Sequence, residues 1–188
     1  MSKNPDIKIK KSSKKTNKDV VLVSKRHLIS ISIYTDGSLK KTRNGNICGY
    51  GIFFPGKELK NVAAPFTIGD ITNNRAELHA IHQAIIRVIK KYTFDLINIY
   101  TDSEYSQKSL TCWIDNWKKN NWKNAKKKPV ENQDLIKKID KYLQIYQGKI
   151  NIQWVRAHTG NQDVHSINNN KADELANKGA NIYAEQYL

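Results

Sequence analysis

The sequence predicts an α/β protein built on a mixed sheet. Candidate elements follow one another in the order β-β-β-α-β-α-α-β-α. The strand candidates alternate apolar and polar residues, whereas the segments between later strands repeat at helical spacing. The first three strands are close enough to pair as antiparallel hairpins, and the later ones are separated by crossovers long enough for parallel pairing.

Residues 1–27 read as a disordered basic arm rich in Lys, Ser and Asn, with one apolar patch at Val20, Val21, Leu22 and Val23. The globular part, residues 28–188, opens with Ile29, Ile31 and Ile33 alternating with Ser30, Ser32 and Tyr34, the period of a half-buried strand. Residues 48–54 form a second strand ended by Pro55-Gly56, and residues 60–66 a shorter third. Leu78, Ile81, Ile85, Val88 and Ile89 share one helical face. Residues 96–100 make a fourth strand and 103–112 a short helix. Leu135, Ile139, Leu143 and Tyr146 mark another helix, and residues 149–155 a fifth strand. The last helix spans residues 171–184, with Ala172, Leu175, Ala176 and Gly179 turned inward. There is no internal repeat, and one domain accounts for all of it.

The chain has 188 residues, enough for one stable core and a tail. Its 39% hydrophobic content is low for a fully packed chain, in keeping with an arm outside the core. No apolar run approaches the ~20 residues a membrane-spanning helix needs. The start lacks the apolar stretch of a signal peptide and is richer in Lys than a mitochondrial presequence. Cys48 and Cys112 have no metal or redox spacing and read as reduced thiols. A cytoplasmic location is expected, with the nucleus as the alternative.

The net charge of +15 points to a polyanion, nucleic acid first and an anionic membrane surface second. It is uneven. Residues 1–28 carry nine Lys and Arg against Asp6 and Asp19, and residues 113–132 carry six Lys against Asp115 and Glu131. Those segments hold 11 of the 15 excess charges.

In a chain so short of acids, four of them stand at expected element boundaries. Tyr34-Thr35-Asp36 and Tyr100-Thr101-Asp102 close two strands, Glu77 starts the first long helix, and Asp173 starts the last. Singly, each has a plain explanation: Asp102 as an N-cap, and Glu77 after Asn74 or Asp173 after Asn170 as capping pairs. As a set, clustered carboxylates repel and raise one another's pKa unless a cation lies among them. An all-oxygen set suits Mg²⁺ or Mn²⁺ rather than zinc. A phosphatase of the haloacid-dehalogenase type is excluded because Tyr34 occupies the position of its nucleophilic Asp. No phosphate-binding loop or dinucleotide fingerprint is present.

Five segments in order, Tyr34-Thr35-Asp36-Gly37-Ser38, Thr72-Asn73-Asn74-Arg75-Ala76-Glu77-Leu78, Tyr100-Thr101-Asp102-Ser103, Trp154-Val155-Arg156-Ala157-His158-Thr159-Gly160 and Ala172-Asp173-Glu174-Leu175-Ala176, resemble the type 1 ribonucleases H over residues 28–180. The resemblance implies the ribonuclease H-like fold, a five-stranded mixed β-sheet flanked by helices. It also implies endonucleolytic hydrolysis of the RNA strand of RNA–DNA hybrids. Water attacks the phosphodiester with the help of two Mg²⁺ ions, Mn²⁺ being a possible substitute, leaving 5′-phosphate and 3′-hydroxyl ends. Asp36, Glu77, Asp102 and Asp173 fall on the family's metal-binding carboxylates, and His158 on its mobile catalytic-loop histidine.

Residues 113–132 resemble the family's basic protrusion, with Lys118, Lys119 and Lys123 attracting phosphate. Tyr105 and Trp113 match contacts to DNA sugars, where a 2′-hydroxyl is disfavoured. Ser38, Asn73 and Asn74 match contacts to RNA 2′-hydroxyls, and Thr72 and Asn132 a DNA phosphate pocket. Trp117 and Trp122 are expected as structural anchors, and His79 and His82 as packing or surface residues. The implied protein is a monomer with a hybrid duplex as its partner, and with no obligate protein partner or membrane.

Three departures stand out. Asp70 lies where the phosphate pocket usually has an Arg, Ala157 replaces the usual Gly, and 15 positions separate His158 from Asp173, a lengthened loop in which His165 offers a second imidazole. Two other functions on the same fold are a non-catalytic hybrid binder and an integrase-like or junction-resolving nuclease. The four acids argue against the binder, because clustering negative charge weakens affinity for a polyanion.

Overall fold

The computed structural model describes residues 25–156 and 162–188. In chain order the elements are β1 (Arg26–Thr42), β2 (Gly45–Phe53), β3 (Val62–Pro65), α1 (Asn73–Lys91), β4 (Tyr92–Thr101), α2 (Glu104–Thr111), α3 (Ile114–Lys119), α4 (Gln133–Ile145), β5 (Ile150–Trp154) and α5 (Val164–Tyr187). The five strands form one sheet in the order β3-β2-β1-β4-β5. β1, β2 and β3 pair antiparallel, while β1–β4 and β4–β5 are parallel. This is the mixed sheet the sequence predicts.

β1 changes partners along its length. Residues 26–35 pair with β4, ending at Thr35↔Thr101, and residues 34–42 pair with β2. Asp36 therefore lies within the strand, at the point where β4 has run out, and does not end the strand as its sequence context indicates. A crevice opens there because β1 continues past its parallel neighbour.

α1 and α5 cover opposite faces of the sheet. Thr72 caps α1 by accepting from the Arg75 N–H, and Ala76, Leu78, Ile81, Ala84, Ile85 and Val88 are buried in the core with Ile31, Ile33, Ile97 and Ile99. Gly37 makes the fit of α1 against β1 possible, since a Cβ on it would lie 2.7 Å from the Glu77 backbone nitrogen. On the other face, Ala172, Ala176, Gly179 and Ala180 of α5 are buried over β2. A Cβ on Gly51 would overlap the backbone of Ala172 and Ala176.

Several boundaries differ from the predicted ones. Arg26 and His27, read as arm, belong to β1 and pair with Tyr92 and Thr93, because backbone pairing does not require an apolar side chain. Residues 1–24, the rest of the arm, lie outside the described residues. α3 is an added helix inside the Trp- and Lys-rich stretch, too short for a helical period to show. α5 begins at Val164 rather than at residue 171, so Asp173 sits well inside it. Its early turns bury polar Ser166 and Asn169 while Val164 and Ile167 are exposed, which hides the period. The caps also differ: Thr72 caps α1, Ser103 caps α2 and Asp163 caps α5, leaving Asp102, Glu77 and Asp173 free of that role.

Trp117 and Trp122 pack against the core as anchors, Trp122 with the Lys137 ammonium 4.7 Å above its ring. Cys48 and Cys112 are free thiols, one buried and one exposed. No helix among the described residues is long and apolar enough to cross a membrane.

His79 is buried edge-on against Tyr50, ring centroids 4.8 Å apart, so it is a packing residue. Burial, with lesser contributions from His82, Lys138 and Arg75, lowers its pKa to about 4. The unfolded chain takes up this proton near pH 6.5 and the folded chain only near 4. Stability present above pH 6.5 is therefore lost as pH falls through that window, by up to about 3 kcal/mol. His79→Leu is expected to flatten this acid limb in urea titrations, and an unchanged limb would refute the assignment. Gly37→Ala is expected to cost about 1–3 kcal/mol in the same assay, from overpacking against the first turn of α1.

Candidate metal centre

Three elements deliver three acids to the crevice. Asp36 comes from β1, Glu77 from the second turn of α1, and Asp102 from the residue after β4. Each offers a carboxylate oxygen, and the three oxygens lie within 4.8 Å of one another. Asp36 and Glu77 are 5% and 3% exposed, so little water screens them. Burial, then the charges of Asp102 and Asp173, push the Asp36 carboxyl up to about 8. Burial, then the charges of Asp36 and Asp102, hold Glu77 well above the ordinary carboxylate range. Asp173, from the middle of α5, acts on Asp36 from close by but is not one of the three converging oxygens.

Neutral amides, rather than cations, orient these acids. Asn169 Nδ2 donates to Asp102 Oδ2 at 2.9 Å, and Asn177 Nδ2 to Asp173 Oδ1 at 2.9 Å. The Ser38 hydroxyl donates to Asn177 Oδ1 at 2.9 Å, and Asn73 Nδ2 reaches Glu77 Oε1 at 3.4 Å. Glu77 Oε2 is buried with no hydrogen-bond partner. Among the described residues, no Lys or Arg forms an ion pair with Asp36, Glu77, Asp102 or Asp173. A hard divalent cation fits this donor set: the ligands are all oxygen, their charge is uncompensated, and one buried oxygen lacks a partner.

Asn169 and Asn177 carry no mark of this role in the linear sequence. They lie four residues either side of Asp173, on one face of the same helix, a spacing that becomes visible only when α5 starts at Val164. A further group binds α5 to the strands beneath the acids. Tyr34 and Tyr100 stack with ring centroids 4.8 Å apart, His165 Nδ1 lies 3.0 Å from the Tyr34 hydroxyl, and the His165 ring lies 4.7 Å from that of Tyr100. His158 lies outside the described residues.

The expected substrate contacts fall into two groups. Thr72, Asn74 and Asn132 line one depression of about 430 Å³ together with Asp70, Arg75 and Glu131. Arg75, its cationic wall, is committed to Asp134 through two bonds of 2.9 Å. Asn132 has a left-handed backbone (φ 56°) and donates to the Tyr105 hydroxyl at 3.0 Å. Tyr105 meets the exposed Trp113 edge-on, centroids 6.3 Å apart. Of the three lysines, Lys119 and Lys123 are exposed, whereas Lys118 turns inward and donates to Asp140 at 2.6 Å.

A mixed α/β sheet bearing buried acids at a strand-end crevice defines the ribonuclease H fold class with a metal-type centre. Comparison with known proteins makes the assignment specific. The sequence model of the RNase H family matches residues 29–181. The chain is 41% identical over 150 residues to ribonuclease HI of Haemophilus influenzae, covering 80% of this chain and 89% of that one. It is 36% identical over 173 residues to ribonuclease H of Schizosaccharomyces pombe, covering 88% of this chain but 61% of that protein. Among solved structures, the foamy viral protease-reverse transcriptase in complex with an RNA/DNA hybrid superposes with a TM-score of 0.66 at 28% identity, covering 80% of this chain and 20% of that one. The chain belongs to the RNase H family, type 1, whose members are endoribonucleases acting on RNA–DNA hybrids.

The acids set a pH dependence opposite to that of His79. Asp36 binds its proton up to about pH 8 when folded but only up to 3.8 when unfolded. Its stabilising contribution is full below pH 3.8 and is lost as pH rises through 8. In EDTA at pH 8, Asp36→Asn is therefore expected to melt about 5 °C above the wild type, and the gap is expected to close at acidic pH. Equal melting temperatures at pH 8 would contradict the repulsion.

Proposed function

We propose that this chain hydrolyses the RNA strand of RNA–DNA hybrids at the crevice between β1, α1, β4 and α5, using two divalent cations. Mg²⁺ is the expected ion and Mn²⁺ its substitute. The observation that carries this reading is the convergence of Asp36, Glu77 and Asp102 within 4.8 Å with no cationic side chain to neutralise them. When bound, the ions would activate the attacking water and stabilise the departing 3′ oxygen, giving 5′-phosphate and 3′-hydroxyl ends.

Asp36, Glu77, Asp102 and Asp173 hold the ions in this scheme. Asn169 and Asn177 keep the last two carboxylates from rotating away, each through a 2.9 Å bond. His158 carries protons on the leaving side in this scheme. Ser38, Asn73 and Asn74 border the acids and read RNA 2′-hydroxyls. The aromatic faces of Tyr105 and Trp113 pack on DNA sugars, while Thr72 and Asn132 take a DNA phosphate. Lys119 and Lys123 attract the DNA backbone. Lys118 shapes the protrusion through its 2.6 Å bond to Asp140. Asp70 and Glu131 in the phosphate depression, with Arg75 already engaged, make that contact weaker than a pocket with a free Arg. The protein acts as a monomer in the cytoplasm.

Uniform RNA–DNA, RNA–RNA and DNA–DNA duplexes incubated with Mg²⁺ or EDTA test the proposal. Nicking confined to the RNA strand of the hybrid and dependent on Mg²⁺ is expected. Asp36→Asn is expected to lower cleavage by ~10³-fold or more while hybrid binding persists. A fully active Asp36→Asn protein, or cleavage of DNA–DNA duplexes, would overturn it.

A further inference from the structure

The positive charge of the described residues is concentrated in two places. Residues 25–188 carry a net of +10, of which the protrusion at 113–132 contributes +4. A second cluster of +4 lies at the opposite end of the sheet, where Lys25, Arg26, Lys57, Lys60, Lys90 and Lys91 face only Glu58 and Asp95. The remaining surface is close to balanced.

Four parts of the chain converge at this second pole. Lys57, Lys60 and Lys91 line one depression of about 510 Å³. The Tyr92 hydroxyl donates to the Glu58 carbonyl at 2.6 Å, tying the loop after β2 to the start of β4. Arg26 opens β1 beside Tyr92, and the Lys25 ammonium donates to the Ile89 carbonyl in the last turn of α1 at 2.6 Å. The helix dipole accounts for Lys90 and Lys91 at the end of α1, but not for Lys57 and Lys60 on a loop. None of Arg26, Lys57, Lys60, Lys90 and Lys91 is paired with a carboxylate among the described residues.

The pole is remote from the acids. Lys91 lies about 21 Å beyond Glu77 along α1, and Arg26 about 33 Å before Asp36 along β1. The chain also enters the fold here, directly after residues 1–24, whose sequence adds seven Lys against two Asp. The depression presents three ammonium groups beside Glu58, Asn61 and a single Leu rather than an apolar helix face, a chemistry suited to phosphates rather than to insertion in lipid.

We propose that this pole is a second, non-catalytic nucleic-acid surface that grips the phosphate backbone of a duplex outside the acidic crevice. A long duplex would then be held at two places on one protein. The inference rests on the hybrid-hydrolysing reading for the identity of the polymer, but it is tested by binding alone.

The experiment uses the full chain carrying Asp36→Asn, with and without Lys57→Glu, Lys60→Glu and Lys91→Glu. A control carries the same charge change at Lys40, Lys138 and Lys141, away from the start of the parallel strands. Anisotropy titrations use hybrids of about 12 and about 40 base pairs in KCl from about 50 to 200 mM. On the long hybrid, the pole variant is expected to bind ~10-fold more weakly at low salt, with a log–log salt slope shallower by about 2–3. On the short hybrid, which the crevice accommodates, the loss is expected to stay within about threefold, and the control variant should match the parent on both. In the otherwise wild-type chain, the pole substitutions are expected to leave turnover at saturating hybrid unchanged. Equal losses in the pole and control variants would overturn the proposal, as would an unchanged slope. A defect seen only with phosphatidylserine vesicles would also overturn it, in favour of a membrane surface. If the wild type failed to cleave hybrids, the catalytic reading would fall while the two-place binding result stood on its own.

Discussion

Carboxylates forced together away from water repel one another, and the architecture of this protein is arranged around that repulsion. Asp36 and Glu77 are nearly inaccessible, and burial together with the charge of Asp102 raises the proton affinity of both. Such a cluster persists only if the backbones beneath it cannot separate. Two close approaches hold them together: α1 pressed on β1 at Gly37, and the small-residue face of α5 pressed on β2 at Gly51. Bulk at either point would push an acid-bearing element outward. Core packing therefore sets the geometry of the centre, and the centre lowers the stability of the metal-free fold.

The polar groups next to the acids follow the same logic. Asn169, Asn177 and Asn73 donate hydrogen bonds without supplying a charge, so they orient carboxylates but leave the field intact for a cation. A Lys in any of these places would have relieved the repulsion and competed with the metal. The His165–Tyr34–Tyr100 group stabilises the neighbourhood by stacking and one hydrogen bond, again without adding a carboxylate or ammonium beside the cluster.

Charge is polarised along the sheet. The acids gather where the parallel strands end, and lysines gather at the protrusion and at the pole where those strands begin. A polyanion meets attraction at two sites and repulsion in the crevice itself, a repulsion that bound divalent ions would reverse. The partner change of β1 at Asp36 is what opens the crevice.

Much of this was legible in the linear sequence. Among the described residues, strand alternation and helical spacing mark most of the strands and helices, because those elements bury an apolar face with a regular period. The four acids stood out because they recur beside element boundaries in an acid-poor chain. What escaped was whatever lacked a period of its own. α3 is six residues long, and the early turns of α5 bury Ser166 and Asn169 instead of an apolar stripe. Lys118 reads as one more surface lysine until Asp140, distant in sequence, captures it. Local side-chain pattern determined which elements form and which residue types they carry. Tertiary packing alone decided that Asp36 sits inside a strand, that Asp173 stands outside the set of three converging oxygens, and that six basic residues share a remote pole, because distances between elements depend on how closely backbones approach and not on any local period.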